Sequence, residues 1–172
     1  MGLRYKNGDD VSDSVGLLIS ILVRYPEVGS IHFEPDKNVI KFSFFLLSLI
    51  PDSVVQIFKD RLSSCIKTFF YLHNSEYTVL SIEDFVYEGL TLLEIKRDVE
   101  SLTSSELSLI VQVARDAFEQ QLAADQNESL QEEDLLVQEE LIGRMLDNVR
   151  YTVPDKRLIA FREEGRVLVF NK

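Results

Sequence analysis

Apolar residues at three- and four-residue intervals line one side of an α-helix, and Val15, Leu18, Ile19, Leu22 and Val23 follow that spacing across residues 12–25. Ser12 or Asp13 is placed to cap the start of this helix and Pro26 to close it. The period then changes to two. Ile31 and Phe33 alternate with Ser30, His32 and Glu34, and the turn-forming run Pro35-Asp36-Lys37-Asn38 leads into a second strand over residues 39–48. In that strand Ile40, Phe42, Phe44 and Leu46 share one face, while Phe45 and Leu47 make the far half of the other face apolar too. Cover on both sides is expected there.

A helical stripe returns after Pro51-Asp52-Ser53, with Val55, Phe58, Leu62, Cys65, Ile66, Phe69 and Phe70 opposite Gln56, Lys59, Asp60, Ser63 and Lys67. A second strand pair is expected over residues 77–82 and about 90–97, joined by a segment containing Glu83, Asp84 and Gly89. Thr103 and Glu106 have capping-box spacing, in which hydroxyl and carboxylate reciprocally satisfy free N–H groups at a helix start. A helix from about 104 to 122 follows, with Leu107, Ile110, Val111, Ala114, Ala117 and Phe118 as its apolar stripe. Residues 123–134 read as an acidic loop and about 131–149 as a further helix. In that helix Leu135, Ile142 and Val149 lie seven apart with Met145 between them, a short seam. The chain closes on a hairpin over 157–170, in which Glu163-Glu164-Gly165 forms the turn and Gly165 supplies positive φ.

The first and last parts of the chain share a pattern. Val23-Arg24-Tyr25 before the first hairpin matches Val149-Arg150-Tyr151 before the last. Ile31-His32-Phe33 and Val39-Ile40-Lys41-Phe42 correspond to Ile159-Ala160-Phe161 and Val167-Leu168-Val169-Phe170. Similar burial alone can generate such matches, so they support an α-β-β theme without establishing ancestry. The expected architecture is one α+β domain spanning 1–172, with antiparallel hairpins packed against about four helices.

Composition adds location. The chain has 172 residues, 45% of them hydrophobic, which is enough for one sizeable core. Its net charge is −11 and is unevenly placed. Residues 1–75 hold eight basic and eight acidic side chains, 76–143 hold three and seventeen, and 144–172 hold seven and four. A central acidic block followed by a basic end repels polyanions and anionic lipid, and invites a charge match within one chain or between two. No apolar run approaches the roughly 20 residues that cross a bilayer, and acids precede the run 15–23 where a signal peptide would be basic. The single cysteine, Cys65, sits in an apolar stripe. A soluble protein of a reducing compartment, the cytoplasm, is expected, with no membrane partner.

Chemistry is thinly signalled. No phosphate-binding glycine motif, zinc-protease motif or nucleophile elbow occurs. Two histidines, His32 and His73, are too few for a His-rich metal site, although Glu34, Glu83 or Asp84 would complete a mixed ligand set if the fold gathered them. The acidic pairs at 132–134 and 139–140 lack calcium-loop spacing, and the apolar surroundings of Cys65 disfavour a thiolate. No cofactor, metal or catalytic residue is expected. The leading reading is a non-catalytic protein-interaction or regulatory module that binds a protein partner or itself, as a homodimer. Its interaction surface would be the seam Leu135, Ile142, Met145 and Val149 with the basic residues Arg144, Arg150, Arg157, Arg162 and Arg166. An enzyme or small-ligand protein using dispersed acids with His32 or His73 is the alternative. RNA binding through the basic C-terminal hairpin is a third, disfavoured because Phe161 and Phe170 read as the buried sides of that hairpin.

Overall fold

The computed structural model describes residues 13–124, 132–151 and 156–171. The chain folds as an α+β domain whose elements run α1 (Asp13–Arg24), β1 (Ser30–Glu34), β2 (Val39–Leu46), α2 (Asp52–Leu72), β3 (Leu80–Tyr87), β4 (Leu90–Asp98), α3 (Ser104–Phe118), α4 (Glu132–Tyr151), β5 (Leu158–Glu163) and β6 (Arg166–Asn171). The six strands form one antiparallel sheet in the order β3-β4-β2-β1-β5-β6. The first hairpin is therefore central and the other two flank it. Each hairpin follows a helix, so the α-β-β theme occurs three times, with α3 inserted before the third.

The period-two pattern gives the sheet two unlike faces. Ile31, Phe33, Ile40, Phe42, Phe44, Leu46, Leu93, Ile95, Leu158 and Ala160 point to one side and are buried with helical residues in a single core. α1 packs against β5 and β6 below and α4 above, so it lies between the sheet and α4 and is buried nearly all round. This is why its sequence is apolar on more than one stripe. Gly16 gives α4 room: a Cβ there would stand 3.1 Å from the Met145 terminal methyl. α2 packs on α3, with the Phe58 and Phe118 rings 5.1 Å apart.

Several boundaries differ from the sequence reading. Glu83 and Asp84 lie inside β3 rather than in its connection, and the hairpin turns on Glu88 and Gly89 alone, both at positive φ. Acids are tolerated there because β3 is an edge strand, and Asp84 is also paired with Lys59 of α2. α3 ends at Phe118, four residues early, because Leu122 turns back to bridge Leu46. Beyond Ser43, β1 no longer flanks β2, and the Leu47 N–H donates to Gln121 while the Ala123 N–H donates to Phe45. The far half of β2 thus gains its second neighbour, although Leu47 stays 62% exposed. The capping box is half formed. Thr103 accepts from the Glu106 N–H at 3.2 Å, but the Glu106 carboxylate is engaged elsewhere. Of the acidic loop, residues 125–131 lie outside the described residues.

Candidate functional site

The second face of the sheet is covered by no described element. Two apolar islands occupy it. In one, Phe45 of β2, Leu92 of β4 and Phe85 of β3 stand in register as a continuous row, with Tyr87 and Leu90 as the next pair outward. Phe85 is 45% and Tyr87 68% exposed, high values for such large rings. In the other, Ile159 and Phe161 of β5 face Phe170 and Leu168 of β6, and the Phe161 and Phe170 rings lie 5.6 Å apart at 17°. Between the islands runs a polar strip. Lys41 and Glu94 make an ion pair at 3.4 Å there, with His32, Ser43 and Lys96 alongside. Phe45 owes its position to Gly29, since a Cβ at residue 29 would fall 2.2 Å from the ring.

Phe161 and Phe170 are therefore not the buried sides of their hairpin. They sit on the uncovered face, and Ala160 and Leu158 are the buried side. The misreading has a local cause: both faces of β5 carry apolar residues, so alternation alone does not say which is inward.

The core holds a second cluster that the sequence reading passed over. Arg97, fully buried, donates through Nε and Nη2 to the two Glu106 oxygens at 2.6 and 2.7 Å, through Nη2 to Ser101 at 2.9 Å and through Nη1 to the Val79 carbonyl at 2.7 Å. Nη1 also meets Asp98, and the Phe70 and Tyr77 rings lie 5.2 and 5.6 Å from the guanidinium carbon. Burial works against the Asp98 charge, but hydrogen bonds from Ser101, Val79 and Arg97 overcome it and hold the carboxyl far below the usual range. Burial raises Glu106, with Arg97 offsetting only part of it. Burial likewise opposes the Arg97 charge, but its two carboxylates win and raise it. Every Arg97 nitrogen is satisfied by the protein itself. The arrangement clamps β4 to the start of α3 and offers no free group for chemistry. Its sequence signal was present: Leu93, Ile95 and Arg97 share a period-two face, so the arginine occupies an inward position.

The residues singled out from sequence fall in several places. Ile142 and Val149 are buried and Leu135 and Met145 half-buried, with Met145 reaching Gly16 and accepting from the Ser20 hydroxyl at 3.7 Å. The seam faces α1 of its own chain. Arg162 reaches back from β5 to the carbonyls of Leu22, Tyr25 and Val28, closing the end of α1. Arg150 binds the Leu102 and Val99 carbonyls and Asp147, and Arg157 pairs with Asp36 at 2.8 Å. Arg144 and Arg166 are exposed. The acidic block meets a cation in Arg24, which binds Glu139 at 2.7 Å.

His32 and His73 do not share a site. His32 stands on the uncovered face, whereas His73 ends α2 on the helical side, with Nδ1 2.8 Å from the Phe69 carbonyl and its ring stacked on Phe69. Glu34 lies beside Lys37, Glu83 on the uncovered face and Asp84 on the helical one. No group of three or more His, Cys, Asp or Glu suited to a metal ion occurs among the described residues. No described helix is long and apolar enough to cross a membrane. The chain matches no protein-family model, no curated protein and no solved structure.

Proposed function

We propose that this protein is a non-catalytic protein-interaction module of the cytoplasm that associates with itself. The observation that carries the reading is the uncovered sheet face, where Phe85, Tyr87 and Phe170 remain between 45% and 68% exposed on a rigid scaffold. Large rings displayed on regular strands give contact area at low entropic cost, and an apolar island beside a polar strip is the make-up of a protein interface. A free, half-buried Cys65 fits a reducing compartment. Because α1 covers the α4 seam, the association is assigned to the sheet and not to that helix.

Light scattering over a range of protein and salt concentrations tests the reading. The expected result is a mass twice that of the 19.8 kDa chain, and a monomer at every concentration overturns it.

The near-parallel rings of half-buried Phe161 and exposed Phe170 favour one second reading, single-stranded RNA laid across the open sheet beside Lys41 and Lys96. Against it, Arg157 and Arg162 are engaged within the chain, and the net charge is −11. Fluorescence anisotropy with labelled oligoribonucleotides at low salt decides: affinity that falls steeply with added salt supports RNA, and no binding ends it.

A further inference from the structure

We infer that the occupant of the exposed β3 edge is the β3 edge of a second copy, paired antiparallel about a two-fold axis through Phe85, so that two sheets continue into one. The inference rests on the self-association reading and places its contact at the edge strand that carries Phe85 and Tyr87. β3 runs eight residues in unbroken register with β4, without a bulge, and residues 77–90 contain neither proline nor a basic residue. Of the devices that keep such edges single, the strand carries only the acids Glu83 and Asp84, and Asp84 is already paired with Lys59 of its own chain. At its turn end β3 is apolar on both faces, with Phe85 at 45%, Val86 at 66% and Tyr87 at 68% exposure. The other edge strand, β6, is shorter and begins on Arg166.

Backbone geometry says which residues are free to pair. The two-residue turn Glu88-Gly89 closes on the Tyr87–Leu90 pair. In such a hairpin the closing pair is hydrogen-bonded, and bonded residues alternate from there. Phe85 and Glu83 thus spend their N–H and C=O groups on β4, while Val86, Asp84 and Ile82 turn theirs outward.

The acids then select the register. An axis through Glu83 or Asp84 sets a carboxylate against its own copy, and an axis through Val86 sets Asp84 against Glu88. An axis through Ile82 sets Glu88 against Glu76 and turns Phe85, Val86 and Tyr87 towards residues 77–79, which precede the strand. An axis through Phe85 sets Asp84 against Val86 and Glu83 against Tyr87, with Phe85 facing itself as a non-hydrogen-bonded pair, where side chains come closest. Asp84 and Val86 of the two copies then exchange the backbone hydrogen bonds. On the uncovered face the row Phe45, Leu92, Phe85 continues directly into Phe85, Leu92 and Phe45 of the second copy. The joined sheet has six strands from each chain.

This register predicts unlike effects from two neighbouring lysines. Phe85→Lys opposes two cations and is expected to raise the dimer Kd by about 100-fold or more, since facing like charges costs several kcal/mol. Tyr87→Lys places a cation opposite Glu83 of the second copy, and its Kd is expected to stay within about threefold at low salt. Val86→Pro removes an outward N–H that β4 does not use, so the monomer folds and the dimer is lost. The direct measurement is cross-linking of the full chain: mild oxidation of Phe85→Cys should give a covalent dimer, because facing Cα atoms near 4.5 Å suit a disulfide, whereas the unaltered chain with Cys65 alone should not. Light scattering reads the masses and circular dichroism the fold.

Should Phe85→Lys fail to fold, the cysteine cross-link decides. A dimer that survives Val86→Pro and never cross-links at Phe85→Cys overturns the edge and leaves self-association standing. Equal weakening by the two lysines overturns the register. A monomeric unaltered chain overturns both.

Discussion

Arg97 and Glu106 meet in a two-pronged ion pair, Nε to Oε2 at 2.6 Å and Nη2 to Oε1 at 2.7 Å, with both side chains out of reach of solvent. The pair joins the last turn-ward residues of β4 to the first turn of α3, where the carboxylate also lies near the positive end of the helix dipole. Desolvating two charges cancels much of their attraction, so the clamp matters most through what is stranded when one partner goes.

Arg97→Met is therefore expected to destabilise the fold by about 3–5 kcal/mol, because Glu106 and Asp98 are left buried without their cation. Adding Glu106→Leu to Arg97→Met should recover part of that loss, since one stranded carboxylate is removed. Urea unfolding of the two variants measures it; a double variant no more stable than the single one refutes the account.

Acid sensitivity should trace to Asp98. Its carboxyl in the folded chain lies below the unfolded value of about 3.9, so its contribution is fully present above that pH and is lost as the pH falls beneath it. Glu106 acts with the opposite sign: burial raises it, so its ionised form costs stability that is regained as the pH falls through its folded value. Asp98→Asn is expected to lower stability at pH 7 by about 3 kcal/mol and to flatten the profile below about pH 4. Unfolding free energies from pH 2 to pH 8 for both chains read this out.

Arg162 closes α1 by donating to carbonyls of Leu22, Tyr25 and Val28. Arg162→Ala should cost about 1–3 kcal/mol by leaving these acceptors unpaired. Arg162→Lys should recover less than half, because one ammonium cannot reach carbonyls served by a planar fork. Thermal melts rank the three chains, and hydrogen exchange at residues 25–28 locates the loss.

Ile142 is fully buried between α4 and the rest of the core. Ile142→Ala should cost about 2–5 kcal/mol through the cavity it leaves. Under conditions where the variant remains folded, its dimer Kd should equal that of the unaltered chain. A Kd shifted tenfold without loss of fold would return the seam to the interface.

Much of the local structure was legible because it rests on local physics. The stripe from Val55 to Phe70 gave α2, the turn residues around Asp36 and Asn38 gave the first hairpin, and Thr103 gave the start of α3. Where competing tertiary contacts decide, the sequence pattern misled: Glu83 and Asp84 looked like a loop until an edge position and Lys59 made a strand of them. The candidate surface was less legible still. Strand segments that are apolar on both sides, as in β5 and the turn end of β3, do not announce which one faces water.

The sequence by itself determined the α+β class, the periodicities, the start of α3 and the uneven charge, each of which depends on residues close along the chain. Only the tertiary structure decided that α1 would cover the α4 seam, that Arg162 and Arg150 would serve backbone carbonyls, and that Phe85 and Phe170 would stand on a face that no described element covers. Those outcomes depend on strand order and layer stacking, which bring together residues more than a hundred positions apart, and no short-range pattern encodes that order.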